Sequence, residues 1–223
     1  MSNQAVTVNS NTAVGNSSQT ANTSGAFNTS LGSSSLVSNT IGSSNVAVGS
    51  SALSSNISGD RSSALGYQAL AANTVADNTA VGYAALVSNT TGTPNTAVGS
   101  SALFSNTTGI DNVAVGYNAS RLGVTVNGST AVGYQALELC TNGFNTAVGA
   151  QSQAVSTTGL NNASLGYHTL IANTTGQRNT SVGSRSMTGN TTGSNNTGLG
   201  YNTLATNTTG LENVAVEIGR AHV

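Results

Sequence analysis

The chain has 223 residues and a net charge of −1, and charged residues make up only 5% of it, against roughly 25% in typical globular proteins. It contains no Lys, so the basic surface typical of nucleic-acid or anionic-membrane binding is missing. No apolar run approaches the ~20 residues that a membrane-spanning helix needs. We therefore expect neither nucleic-acid binding nor membrane insertion.

A repeat of 17 residues begins at residue 11 and continues along nearly the whole chain. Its consensus is N-T-A-V-G-Y-x-A-L-x-x-N-T-T-G-x-x, and positions are numbered here from the first Asn. Residues 78–94 and 95–111 are two nearly identical copies, and two other units are one residue shorter. Twelve complete units and one incomplete unit are present. Such a period indicates a repeat architecture rather than a chain folded around one active site.

The residue types of the repeat favour β-structure over helix. Gly, Asn, Thr and Ser recur every few residues and oppose helix formation, whereas short β-segments between Gly and Asn corners fit the pattern. We expect an all-β, parallel β-solenoid that forms one domain over residues 1–216. Coils stacked at about 4.8 Å would then make a rod roughly 60 Å long.

Two apolar positions recur in the repeat and predict its core. Position four is always Val or Leu and position nine is usually Leu, so both are expected to face inward and to stack into columns. Position five is Gly in all twelve complete units, which allows either a positive φ or a close approach of the backbone at a corner. The predicted core columns include Val48, Leu65, Val81, Val98, Val115 and Val132 at position four, and Leu53, Leu70, Leu86 and Leu103 at position nine.

All six tyrosines fall at position six and predict a surface or interface column. About two large apolar side chains per coil make a thin core for an isolated chain. We expect Ala at positions three and eight, together with Tyr, to bury a second surface between three chains of a homotrimer. The alternative is a monomeric solenoid whose tyrosines pack on its flank. The column comprises Tyr67, Tyr83, Tyr117, Tyr134, Tyr167 and Tyr201.

The NTAVG cores and the Gly/Asn corners resemble the head repeats of trimeric autotransporter adhesins of the YadA type. The longer NTAVGYxAL…NTTG unit is similar to repeats of phage tail-fibre proteins. The resemblance covers residues 11–216, although the adhesin unit is usually shorter than 17 residues. It implies a left-handed, trimeric β-roll on a cell surface or virion tail, with a host glycan or protein as receptor.

Residues that carry chemistry are few. His168 and Cys140 do not make the three or four clustered ligands of a zinc site, so we expect no metal and no other cofactor. Asp60 and Asp77 are one coil apart and are the one carboxylate pair that would suit glycoside hydrolysis. No nucleophile elbow or phosphate-binding loop accompanies them.

These observations predict a non-enzymatic rod for host or surface attachment, without catalytic residues. An ice-binding or lone structural solenoid is the alternative, since Thr recurs at position two and in the NTT corner. A tail-spike type glycosidase is less favoured, because only the Asp60–Asp77 pair supports it.

The last seven residues, 217–223, read EIGRAHV and break the repeat, which predicts Gly at position 217. We interpret them as a translated sequencing adapter outside the fold, and the chain as a fragment of a longer gene. No secretion signal follows Met1. We therefore expect no functional role for Glu217, Arg220 and His222.

Overall fold

A computed structural model describes residues 10–217 and confirms the all-β solenoid. Thirteen strands of three or four residues form one parallel sheet in which each strand pairs with the next in the sequence. Each repeat contributes one strand, and no helix occurs in the described part of the chain. The strands are β1 Thr12–Val14, β2 Thr29–Leu31, β3 Val46–Val48, β4 Ser63–Leu65, β5 Asn78–Val81, β6 Asn95–Val98, β7 Asn112–Val115, β8 Thr130–Val132, β9 Thr146–Val148, β10 Ala163–Leu165, β11 Thr180–Val182, β12 Thr197–Leu199 and β13 Val214–Val216.

The strands pair so that each repeat position lies directly on the same position of the next coil. Between β6 and β7, for example, Ala97 is opposite Ala114 and Val98 is opposite Val115. The two 16-residue units do not disturb this register, since Ala64 pairs with Ala80 across the first of them. Residues at the same repeat position therefore stack on one another and form a column along the solenoid.

Hydrogen bonds between coils continue outside the strands. The N–H of position five donates to the preceding coil, as Gly99 does to the carbonyl of Val81 at 2.7 Å. The N–H of position nine donates to the following coil, as Leu86 does to the carbonyl of Ala102 at 3.0 Å. Each coil is thus bonded to both neighbours, which satisfies backbone groups that would otherwise be buried without partners.

The core is lined by Ala at position three and Leu at position nine. Ala97 and Leu103 have no exposed surface. The interior column predicted at position nine is fully buried at Leu53, Leu70, Leu86 and Leu103. The Ala columns at positions three and eight lie inside the single chain, so the expectation that they pack between chains is wrong.

The predicted inward orientation of position four is also wrong in the single chain. Alternate side chains of a strand point to opposite faces of the sheet. Because position three is buried, position four must lie on the outer face. Leu65 is 50% exposed, and half-buried side chains are found at Val48, Val81, Val98, Val115 and Val132.

Two columns of asparagine complete the interior, at positions one and twelve. Asn78 accepts a hydrogen bond from the backbone N–H of Asn95 at 2.9 Å and donates to the carbonyl of Gly92 at 2.9 Å. Asn106 donates from its amide to Asn89 at 3.0 Å. These buried amides therefore bond along the rod and across each coil, which offsets the cost of removing them from water.

Positions nine and three of successive coils contact each other in the interior. Where position nine is Gln rather than Leu, position three of the next coil is Ser and accepts a hydrogen bond from it. The amide of Gln19 donates to Ser30 at 2.8 Å, and that of Gln153 donates to Ser164 at 2.7 Å. The two positions are thus physically coupled across coils.

The corners require unusual backbone conformations. Positions seven, nine and seventeen carry non-Gly residues in the left-handed region, with φ between the 47° of Leu204 and the 61° of Asp77. At position five, Gly99 has φ +135°, and a Cβ on it would lie 2.4 Å from the carbonyl oxygen of Gly116. Only Gly fits there, because both the backbone angle and the close contact exclude a side chain.

The ladder reaches one residue into the segment interpreted as adapter sequence. The N–H of Glu217 donates to the carbonyl of Leu199 at 2.8 Å, as the N–H of Gly does at position five elsewhere. Arg220 and His222 lie outside the described residues.

Candidate functional site

The outer sheet face is formed by the side chains of positions two and four along all thirteen strands. Position two is mostly Thr or Val, and position four is Val or Leu. Val14, Leu31 and Leu165 on this face are 46%, 49% and 51% exposed. At about 4.8 Å per coil and ~7 Å between positions two and four, the strip covers on the order of 400 Å². Position four supplies an apolar column in every coil and position two supplies mostly Thr, so the strip mixes apolar and hydroxyl groups. A surface patch of this size is often functional.

The tyrosine column follows the sheet face at position six. Its members are between 48% and 58% exposed, so they stay on the surface of the single chain. Tyr67 and Tyr83 stack with ring centroids 5.6 Å apart, and Tyr117 and Tyr134 stack at 5.7 Å. Tyr67, Tyr83, Tyr117, Tyr134, Tyr167 and Tyr201 make up the column, and its role as an interface between chains stays a prediction.

His168 lies at the same corner of the coil as the tyrosine column. Its ring stacks on Tyr167 with centroids 3.8 Å apart, and its Nε2 is hydrogen-bonded to the side-chain oxygen of Gln151 in the preceding coil. The amide of Gln151 in turn donates to Gln135 at 3.1 Å. The histidine is thus held flat against the column by a row of polar side chains at position seven.

The two aspartates proposed as a carboxylate pair have separate partners. Arg61 donates to both carboxylate oxygens of Asp77, at 2.7 and 2.9 Å. The carboxylate of Asp60 accepts from the backbone N–H of Ser43 at 2.7 Å. The hydrogen bond from Arg61 lowers the pKa of Asp77, whereas a general acid in glycoside hydrolysis needs a raised pKa.

Cys140 replaces Asn in the interior column at position twelve. It is fully buried and donates from Sγ to the carbonyl of Asn142 at 2.8 Å. Burial raises the pKa of its thiol. No group of three or more His, Cys, Asp or Glu residues that could hold a metal ion occurs within residues 10–217.

No family model, curated protein or solved structure matches this chain. None of the helices that a membrane crossing would require is found among residues 10–217.

The outward orientation of position four was missed in the sequence, although a signal for it exists. Position three is only ever Ala, Ser or Gly. A position restricted to small residues is typical of a crowded interior, whereas positions two and four accept larger side chains. Since side chains alternate along a strand, this restriction at position three points position four outward.

Proposed function

We propose that this chain is a non-enzymatic segment of a surface fibre, of the kind found in trimeric adhesins and phage tail fibres. The observation that supports this proposal is the unbroken register of thirteen coils. With coils at about 4.8 Å, the segment is a rod roughly 60 Å long. Such a rod holds attachment sites at a fixed distance from the surface that carries it.

The outer sheet face is the proposed contact between three copies of the chain. Its apolar side chains repeat once per coil from Val14 to Val216. A second rod of the same sequence has this period over the same length, so it meets the face at every coil without mismatch. The trimer, rather than a dimer, follows from the resemblance to adhesin heads.

Attachment is proposed to occur through the side of the rod, at a host-surface glycan or protein. Exposed tyrosines present large faces that are attractive to a ligand and cost little conformational entropy to hold. Three copies per rod and several rods per particle would raise the overall avidity of weak individual contacts. The proposed location is accordingly extracellular, on a cell surface or virion tail.

A second candidate function, ice binding, is favoured by one observation on the same face. Thr at position two faces outward in most coils, and neighbouring residues such as Thr79 and Thr96 lie in direct register. This column is interrupted in five coils, and position four adds Val or Leu instead of a second Thr. The interrupting residues are Val46, Ser63, Val113, Ala163 and Val214. Thermal hysteresis at micromolar protein would support ice binding, and its absence would rule this second candidate out.

The experiment that tests the fibre compares two double variants of the full chain. Val81→Asp with Val98→Asp places charges on the outer sheet face, where both side chains are half-buried and outward. Thr91→Asp with Thr108→Asp is the matched control, since both threonines are exposed at position fourteen, outside the sheet. The masses of both proteins are measured by light scattering, with a far-UV spectrum of each.

The proposal predicts a trimer for the threonine variant and a folded monomer for the valine variant. Equal masses for the two variants would contradict assembly through the sheet face.

A further inference from the structure

We propose that the gap in the tyrosine column at Ser100 is a binding slot for one neutral pyranose ring of a glycan. The Ser100 slot is defined by Tyr83 and Tyr117 as walls and Ser100 as the floor. This inference deepens the proposed attachment function, because it names the ligand class and the place where the ligand binds.

Each wall tyrosine of the slot is supported by a second tyrosine that stacks on it. Tyr83 and Tyr117 occupy position six one coil before and one coil after Ser100. Tyr67 stacks on Tyr83 at 5.6 Å, and Tyr134 stacks on Tyr117 at 5.7 Å. Tyr67 belongs to the coil before Tyr83 and Tyr134 to the coil after Tyr117, so each partner ring stacks on the side of its wall away from Ser100. The side of each wall toward Ser100 has no stacked tyrosine among the described residues.

The width of the gap matches a single ring. Two coil spacings of about 4.8 Å place the two walls roughly 10 Å apart along the rod. A ring midway between them would be about 5 Å from each wall, within the 4.5–7 Å range of stacked rings. A ligand ring therefore takes the place of the tyrosine that this coil lacks.

The floor and rim are polar and held in place by the ladder. Ser101 donates its N–H to the carbonyl of Tyr83 at 2.9 Å, and Asn118 donates its N–H to the carbonyl of Ser100 at 3.1 Å. The Ser100 and Ser101 hydroxyls are at positions six and seven of this coil, and both residues are partly exposed. Hydroxyls at the base of two aromatic faces suit a sugar, whose C–H groups meet the negative ring faces while its hydroxyls form hydrogen bonds.

The other gaps in the column differ from this one. At Ala150, His168 stacks on Tyr167 and bonds to Gln151 of the intervening coil, so a ring of the chain itself lies at that gap. At Ser184, neither flanking tyrosine belongs to a stacked tyrosine pair. Within residues 10–217, Ser100 is thus the gap whose two walls are both braced.

The test adds a side chain rather than removing one. Ser100→Tyr fills the slot with the residue that six other coils carry at position six, so the variant should fold. Ser50→Tyr is the matched control, because it adds a tyrosine at position six next to Ser33 and Tyr67, outside any two-walled gap. The probes are the methyl glycosides of glucose, galactose, mannose and N-acetylglucosamine, observed by saturation-transfer NMR with the full chain.

At least one glycoside should receive saturation from the natural chain and from the Ser50→Tyr variant. The signal should fall at least tenfold in the Ser100→Tyr variant, whose far-UV spectrum should be unchanged. Absence of transfer to all four glycosides, or an equal signal in the Ser100→Tyr variant, would overturn the slot. Binding of p-cresol without any glycoside would also overturn it, in favour of an aromatic side chain as ligand.

Light scattering on the same samples separates this result from the fibre proposal. A trimer that binds no glycoside overturns only the slot. A monomer that binds a glycoside, with Ser100→Tyr blocking it, overturns the trimeric rod and retains the slot.

Discussion

Val126 fills the interior space that Gly123 leaves open. Gly123 stands at position twelve, where most coils carry Asn, and Val126 stands at position fifteen, where most carry Gly. A Cβ on Gly123 would lie 2.5 Å from Cγ2 of Val126, and Val126 is fully buried. In the preceding coil the roles are reversed, since a Cβ on Gly109 would lie 2.3 Å from Oδ1 of Asn106. One of the two positions must therefore be Gly in each of these coils.

This relationship predicts strong coupling between two substitutions. Gly123→Asn alone forces a side chain into Val126 and should reduce the free energy of unfolding by about 1–3 kcal/mol, as overpacking does. Val126→Gly alone leaves a cavity and should reduce it by a similar ~2–4 kcal/mol. The double variant restores the consensus and should lie within about 1 kcal/mol of the natural chain.

Urea unfolding followed by far-UV spectroscopy measures these free energies. In the double variant the new amide also offers a donor to Oδ1 of Asn106, which has no hydrogen-bond partner in the natural chain. Additive losses in the double variant would show that the two side chains do not share one space.

The two apolar columns should respond differently to truncation. Leu103→Ala removes a side chain with no exposed surface and should reduce the free energy of unfolding by about 2–5 kcal/mol. Val98→Ala removes a half-buried outward side chain and should reduce it by less than about 1 kcal/mol in the dissociated chain. Thermal unfolding of both variants at low protein concentration, where chains separate, makes the comparison. A larger loss for Val98→Ala would contradict the assignment of position four to the outer face.

Much of this fold was predictable because equivalent positions of successive repeats lie in register. A 17-residue period with Gly at every position five and Asn-rich corners predicts a stacked parallel solenoid, and the strands from Thr12 to Val216 confirm it. The outward orientation of position four was not predicted. Val and Leu at a regular spacing fit an interior column as well as an outer apolar face when the width of the coil is unknown. The pairing of Arg61 with Asp77 was missed for another reason. The 16-residue unit shifts Asp77 by one position, onto the column of Arg61 instead of that of Asp60.

The left-handed backbone at the corners was also not predicted from the sequence, because the residues there are not glycines. Ser51 at position seven has φ 58°, whereas the neighbouring Ser50 is not in the left-handed region. The left-handed conformation costs an L-residue about 1–2 kcal/mol, a cost from which Gly is largely free. Ser51→Gly should therefore raise the free energy of unfolding by roughly 0.5–1 kcal/mol, while Ser50→Gly should lower it by a similar amount. Urea midpoints of the two variants give the sign, and a loss at both sites would contradict the strain at Ser51.

Cys140 predicts a specific pH dependence of stability. Burial raises the pKa of its thiol above the ordinary value of 9.0, so the folded chain retains the proton that the unfolded chain loses first. The resulting contribution to stability is complete below about pH 9 and declines as the pH rises through the folded pKa. The urea midpoint of the natural chain should therefore fall more steeply than that of the Cys140→Ser variant as the pH rises above about 9.

Labelling with iodoacetamide checks the same thiol independently. The folded chain at about pH 8 should stay unlabelled, and the chain in denaturant should label fully, because the thiolate is the reactive form and the sulfur is covered. Rapid labelling of the folded chain would show that position twelve is open to solvent.

Small-angle X-ray scattering of the full chain tests the central claim most directly, since one profile gives both mass and shape. The fibre account predicts a rod about 60 Å long, from thirteen coils at about 4.8 Å. Its mass should be about 66 kDa, three times the 21.9 kDa of one chain. A particle of 21.9 kDa with the same length and a thinner cross-section would contradict the trimer and identify the chain as a lone solenoid.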